Sequence, residues 1–82
     1  MNIYIKKAKY IEGYKIELTF MDNTIQTIDF EKTVKSLKVP AYKKYQDLKH
    51  FKKFKIEMGN IVWGKNWDLV FPEWDLYHGK VG

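Results

Sequence analysis

The stretch YKIELTFM, residues 14–21, then DN, then TIQTIDF, residues 24–30, decides the fold. Residues 14–21 alternate, with Tyr14, Ile16, Leu18 and Phe20 on one face and Lys15, Glu17 and Thr19 on the other. A repeat of two marks a strand with one buried and one wet face. Asp22 and Asn23 tolerate left-handed backbone and bond to nearby amides, so they turn the chain. Residues 24–30 return as a third strand, with Ile28 and Phe30 as its core pair. Upstream, IYIKKAKYI (3–11) is β-branched and aromatic, with Ile3 and Ile5 on one face. Its alternation slips around Lys7 to Lys9, which predicts a bulge or an edge position, and Glu12-Gly13 turns it into the next strand. Three strands joined by two short turns form an antiparallel meander.

From Glu31 the period changes. EKTVKSLK sets Val34 and Leu37 three apart with Lys32, Lys35 and Lys38 outward, which predicts a short helix or 3₁₀ turn ended by Pro40. Residues 41–46 read as an irregular connection, and Asp47 caps a second short turn that buries Leu48 and Phe51. In KFKIEM (53–58) Phe54, Ile56 and Met58 point inward; Gly59-Asn60 is a hairpin signal, and IVWG (61–64) returns. The remainder reads as a loop and a last helical turn opening at Pro72. The expected fold is α+β: a three-stranded antiparallel meander, a short helical insert, a β-hairpin and a C-terminal helical turn. Both hairpin-forming blocks are expected to share one sheet.

Eighty-two residues, 45% of them apolar, suffice for one core and one domain. There is no cysteine, hence no disulfide, thiolate zinc site or cysteine nucleophile within these residues. The start meets Lys6 and Lys7 too early for a secretory signal, and no apolar run reaches the ~20 residues of a membrane span. A cytoplasmic setting with no membrane contact is expected.

The net charge is +5, and all fifteen cationic side chains are lysine. Residues 32–55 hold nine lysines against the single acid Asp47, while the flanks are slightly acidic. Lys43, Lys44, Lys49, Lys52 and Lys53, with Tyr42 and Tyr45 among them, are the candidate binding residues. They can follow a phosphate backbone while the tyrosines stack on bases, meet an acidic protein, or form a solvated face. The absence of arginine removes the bidentate contacts by which guanine and phosphate are usually read.

The second candidate feature is aromatic: Trp63, Trp67, Phe71, Trp74 and Tyr77 fall within fifteen residues. Trp63 is expected to pin the C-terminal segment to the sheet. Trp67 and Trp74 are candidates for a partner-facing role, since tryptophan offers large area with a polar tip. Asn66 and Asp68 bracket a turn that they are expected to brace through side-chain-to-backbone bonds, and Asp29 is expected to cap the helix after Phe30. Catalysis finds little support. Ser36 is the sole serine and sits in a lysine-rich turn, His50 and His78 have no ligand spacing, and no cofactor or metal motif is present.

LTFMDNTIQTIDF (18–30), HFKKFKIEMGNIVW (50–63) and IVWGKNWDLVFPEWDLY (61–77) together resemble the bacterial domain-of-unknown-function family 2442. The positions that carry the likeness are Phe20, Asp22, Asn23, Asp29, Phe51, Trp63, Asn66, Asp68, Pro72, Glu73, Leu76 and Tyr77. Members often have glycine after the asparagine, where this chain has Trp67. The resemblance implies a small mixed sheet with one or two helices. It also implies non-enzymatic proteins, some encoded beside another small protein in an arrangement like a toxin–antitoxin pair. A protein-interaction module is therefore the first functional expectation, with a small protein encoded nearby as partner. The alternative is nucleic-acid binding through residues 32–55.

Overall fold

A computed structural model describes residues 3–81. Strands β1 (Ile5–Glu12), β2 (Lys15–Phe20) and β3 (Ile25–Asp29) form the expected antiparallel meander, in the order β1-β2-β3. Register places Tyr10, Ile16 and Ile28 side by side, and Ala8 beside Leu18, so one face of the meander is apolar. Lys7 to Lys9, where the slip was expected, pair in regular register; the irregularities of this edge strand lie to either side, between Ile5 and Lys7 and after Tyr10. Thr19 differs from its expected exposure and is buried. It lies on the central strand between Lys7 and Ile25, whose longer side chains flank it on both sides. The first turn is Gly13-Tyr14, one residue later than expected. Asn23, with φ 71°, makes the second, where Asp22 Oδ1 accepts from the Thr24 amide at 2.9 Å.

Helix α1 (Glu31–Lys35) buries Val34. It ends at Ser36, well before Pro40, because Pro40 opens a separate 3₁₀ helix, Pro40–Gln46, in the stretch expected to be irregular. Proline's fixed φ and missing N–H suit the first position of such a turn. Asp29 acts one residue early: its Oδ1 accepts from the Glu31 amide at 2.9 Å, while Phe30 occupies the cap position. Asp47 caps α2 (Leu48–Phe51) as expected, accepting from the Lys49 amide.

The second block holds three strands where a two-stranded hairpin was expected: β4 (Lys55–Glu57), β5 (Asn60–Trp63) and β6 (Leu69–Val70), in the order β4-β5-β6. It is a second sheet and does not extend the first. Among the described residues the two meet at one backbone bond, Ile5 N–H to Gly59 O at 2.8 Å, and three-residue β4 is too short to carry a ladder further. The turn of this hairpin is Met58-Gly59, with φ 51° and 81°. Two successive positive φ values define the turn whose twist matches the strands, with glycine at its second position. Met58 thus belongs to the turn and is exposed, against the expectation that it points inward. Helix α3 (Glu73–Tyr77) opens after Pro72.

Aromatic rings join the two sheets. Phe30 packs on Trp63 at 5.4 Å between ring centroids and on Phe71 at 5.2 Å, and Trp63 stacks on Phe51 at 5.5 Å. The Trp63 indole N–H donates to Phe51 O at 2.7 Å, so this buried ring leaves no polar atom unpaired. Leu76 of α3 is fully buried in the same core. Tyr77 clasps the helix to the β2–β3 turn, its hydroxyl donating to Asp22 Oδ2 at 2.5 Å. No helix among the described residues is long and apolar enough to cross a membrane.

Candidate functional site

The lysine-rich insert is built around Tyr45. A turn of three residues puts Tyr42 and Tyr45 on one side of the 3₁₀ helix, away from Lys43 and Lys44. Tyr45 is buried at 3% exposure, and its hydroxyl donates to Asp68 Oδ2 at 2.9 Å. Burial, followed by the Asp68 carboxylate, pushes its phenol pKa up to about 12. This overturns the expectation that Tyr45 stacks on bases: its ring belongs to the core, and Lys44 Nζ lies 5.3 Å from the ring centroid. Tyr42 is half-buried against the same core. Asp68 braces its loop through this side-chain bond rather than through the backbone bond expected of it.

A cleft of about 420 Å³ opens beside Tyr45, lined by Lys44, His50, Lys53, Lys55, Gly64 and Lys65. Gly64 has φ 87°, and a Cβ there would lie 2.5 Å from Asp68 Oδ2 and 2.8 Å from the Tyr45 hydroxyl. The Tyr45–Asp68 pair therefore requires glycine at this wall of the cleft. Lys55 is paired with Glu57 at 2.8 Å. Among the described residues the other ion pairs are Lys35–Glu31 and Lys15–Glu12, so Lys44, Lys53 and Lys65 face the cleft without a carboxylate partner.

Of the candidate lysines, the cleft gathers only Lys44 and Lys53. Lys52 turns to β1, with Nζ 4.7 Å from the Tyr10 ring centroid, and Lys35 lies over Tyr14 at 5.8 Å. Lys43 and Lys49 are exposed. The insert is thus not one continuous cationic stripe. Four cleft residues, His50, Lys55, Gly64 and Lys65, lay outside the expected set. Lys65 belongs to a different block of the chain and reaches the site because Asp68, three residues on, is tied to Tyr45. A separate shallow depression over α1 is lined by Asp29, Glu31, Lys32, Lys35 and Ser36, whose opposite charges largely answer one another.

The tryptophans separate into three roles. Trp63 is fully buried. Trp67 adopts left-handed backbone, φ 57°, a rare conformation for a bulky side chain. Its indole N–H donates to Glu57 Oε2, and Lys55 together with this bond holds the Glu57 carboxyl below its usual range. Glu57, Lys55, Val62 and Val70 share the face of the second sheet opposite Ile61 and Trp63. Val62 is nevertheless fully buried, and the indole reaching Glu57 crosses that face. Trp67 is half-buried, with its indole N–H engaged by Glu57. Trp74 remains 56% exposed, packed edge-on against His78 at 4.5 Å.

A third cluster was not foreseen. Met58 is 85% exposed at the hairpin tip, and Tyr4 and Met21 are also exposed. Tyr4 adjoins both of the others. A Cβ on Gly59 would lie 2.5 Å from the Tyr4 ring, so that ring rests on the Met58-Gly59 turn, and Met21 N–H donates to Tyr4 O at 2.8 Å. Lys6 Nζ, 2.5 Å from Asn23 Oδ1, stands at the edge of this apolar tip. Elsewhere, Ser36 Oγ donates to Thr33 O, and His50 and His78 occupy different surroundings. Among the described residues no group of three or more His, Asp or Glu side chains could hold a metal ion. No family model matches the chain, and neither the curated proteins nor the solved structures contain a match to it.

Proposed function

We propose that the chain is a protein-interaction module that docks a partner chain on the apolar tip of Tyr4, Met21 and Met58. Met58 carries this proposal. The residue pays twice, once for left-handed backbone that asparagine or glycine would adopt more cheaply, and once for 85% exposure of an apolar side chain. A strained backbone conformation held at the surface is a pointer to function. Methionine is also suited to docking, because its unbranched, polarisable side chain adapts to a partner's shape. Lys6 beside the tip and Lys7 on β1, in a chain of net charge +5, favour a partner whose apolar contact is ringed by acids.

The resemblance to domain-of-unknown-function family 2442 belongs to the same proposal, with a small protein encoded nearby as partner and a cytoplasmic setting. The left-handed backbone at Trp67, where that family often carries glycine, supports the resemblance. Co-expression with the product of an adjacent gene tests it. The two should co-elute in high salt and after nuclease treatment; separate elution contradicts the proposal.

Nucleic-acid binding through residues 32–55 is the second reading, favoured by the convergence of Lys44 and Lys53 with Lys55 and Lys65. It predicts steep weakening with salt, a logarithmic slope of about −0.9 per neutralised phosphate, and loss on charge reversal at Lys43, Lys44, Lys52 and Lys53. Affinity retained in that variant rejects it.

A further inference from the structure

We infer that the cleft between the 3₁₀ helix and the Gly64 turn is a binding site for a compact polyphosphate group, such as a free triphosphate or that of a nucleotide. Four lysines and one histidine line it from four separate segments: Lys44 from the 3₁₀ helix, His50 from α2, Lys53 and Lys55 from the approach to β4 and its start, and Lys65 from the turn after β5. Among the described residues only Lys55 of these has a carboxylate partner, Glu57. The nearby Asp68 carboxylate is occupied by the Tyr45 hydroxyl. Like charges brought into one concavity repel one another, and a bound anion removes that cost.

The shape narrows the ligand. About 420 Å³ fits a small ligand and falls within the ordinary range for such sites. Lysines act as mobile point charges, so they suit several oxyanions in a chain better than the planar fork of one carboxylate. The Tyr45 ring is buried and Lys44 lies against it, so no free ring in the cleft stacks on a base. Recognition is therefore of the phosphates alone. A duplex track is disfavoured because Lys52 and Lys35 turn away to Tyr10 and Tyr14. This site is separate from the Met58 tip and stands or falls independently of it.

The test is thermal unfolding of the full chain with tripolyphosphate, ATP, or sulfate at matched ionic strength, with duplex DNA as a further arm. Tripolyphosphate should raise Tm by several degrees beyond sulfate, since a ligand that binds only the folded state stabilises it. ATP should bind no more tightly than tripolyphosphate. The Lys53→Gln/Lys65→Gln variant should lose the rise while unfolding no earlier than wild type without anion, because repulsion has been relieved. Lys7→Gln/Lys9→Gln, on β1, should keep it. Equal shifts from sulfate, or a rise retained in Lys53→Gln/Lys65→Gln, would reduce the effect to general screening and overturn the inference. So would tighter binding of ATP, or binding of DNA with tripolyphosphate inert.

Discussion

Replacing Tyr45 by phenylalanine isolates the contact that joins the insert to the second sheet. The ring stays in the core, and only the hydroxyl that donates to Asp68 Oδ2 is lost. A hydrogen bond to a charged acceptor contributes about 1.5–3 kcal/mol, and Tyr45→Phe should lose that much in urea denaturation at pH 7. The alkaline limb supplies an independent measure. Tyr45 has a folded pKa of about 12 against an ordinary 10.0. Because the folded value is the higher one, the stabilisation is complete below pH 10 and is lost as pH rises toward 12. One unit of pKa corresponds to about 1.4 kcal/mol, so by pH 11 the wild type should have lost about that much of its advantage over Tyr45→Phe. The assay is the difference in unfolding free energy between the two proteins from pH 7 to 11, which cancels the titration of the lysines and the other tyrosines. A difference below 0.5 kcal/mol at pH 7, on the order of a neutral surface change, would refute the contact. A difference that does not shrink above pH 10 would refute the cause assigned to the raised pKa.

Three further outcomes follow from the packing. Trp63→Ala should cost about 3–5 kcal/mol in chemical denaturation, because the ring contacts Phe30, Phe51 and Phe71 and its N–H satisfies Phe51 O. Gly64→Ala should cost about 2 kcal/mol or more, since left-handed strain adds to the collision of its Cβ with Asp68 and Tyr45, and Gly13→Ala, which meets nothing within 4 Å, should cost less. At Asp22 the Tyr77 hydroxyl, then the Thr24 amide, hold the carboxyl below its ordinary 3.8. That contribution is present above the ordinary value and disappears as pH falls through the lowered one. Acid unfolding of Tyr77→Phe should therefore show a shallower loss below pH 4 than wild type.

The meander was legible because residues 14–30 carry both signals at once, a clean period of two and a turn pair, Asp22-Asn23, with its own chemistry. The second block was less legible. Met58 continues the alternation of Phe54 and Ile56, and only the backbone shows that the turn begins there. Two-residue β6 has no period to detect, and its pairing with Val62 and Trp63 fixes it from outside. Tyr45 looked like one of two aromatics among lysines. A three-residue turn and a partner 23 residues away decide that it faces inward. The cleft follows from that same long-range bond, which is why Lys65 was invisible as a member of it. Trp67 bridges to Glu57, ten residues back and on another strand, so its burial could not be read from its own neighbourhood.

Substituting Met58 by asparagine, with stability and partner binding measured on the same preparations, tests the docking role most directly. Asparagine suits the first position of this turn, so Met58→Asn should raise the unfolding free energy by about 0.5–1 kcal/mol. Affinity for the co-expressed partner should fall at least tenfold, about 1.4 kcal/mol. A variant that gains stability and binds as tightly as wild type would show that the exposed methionine is not the anchor.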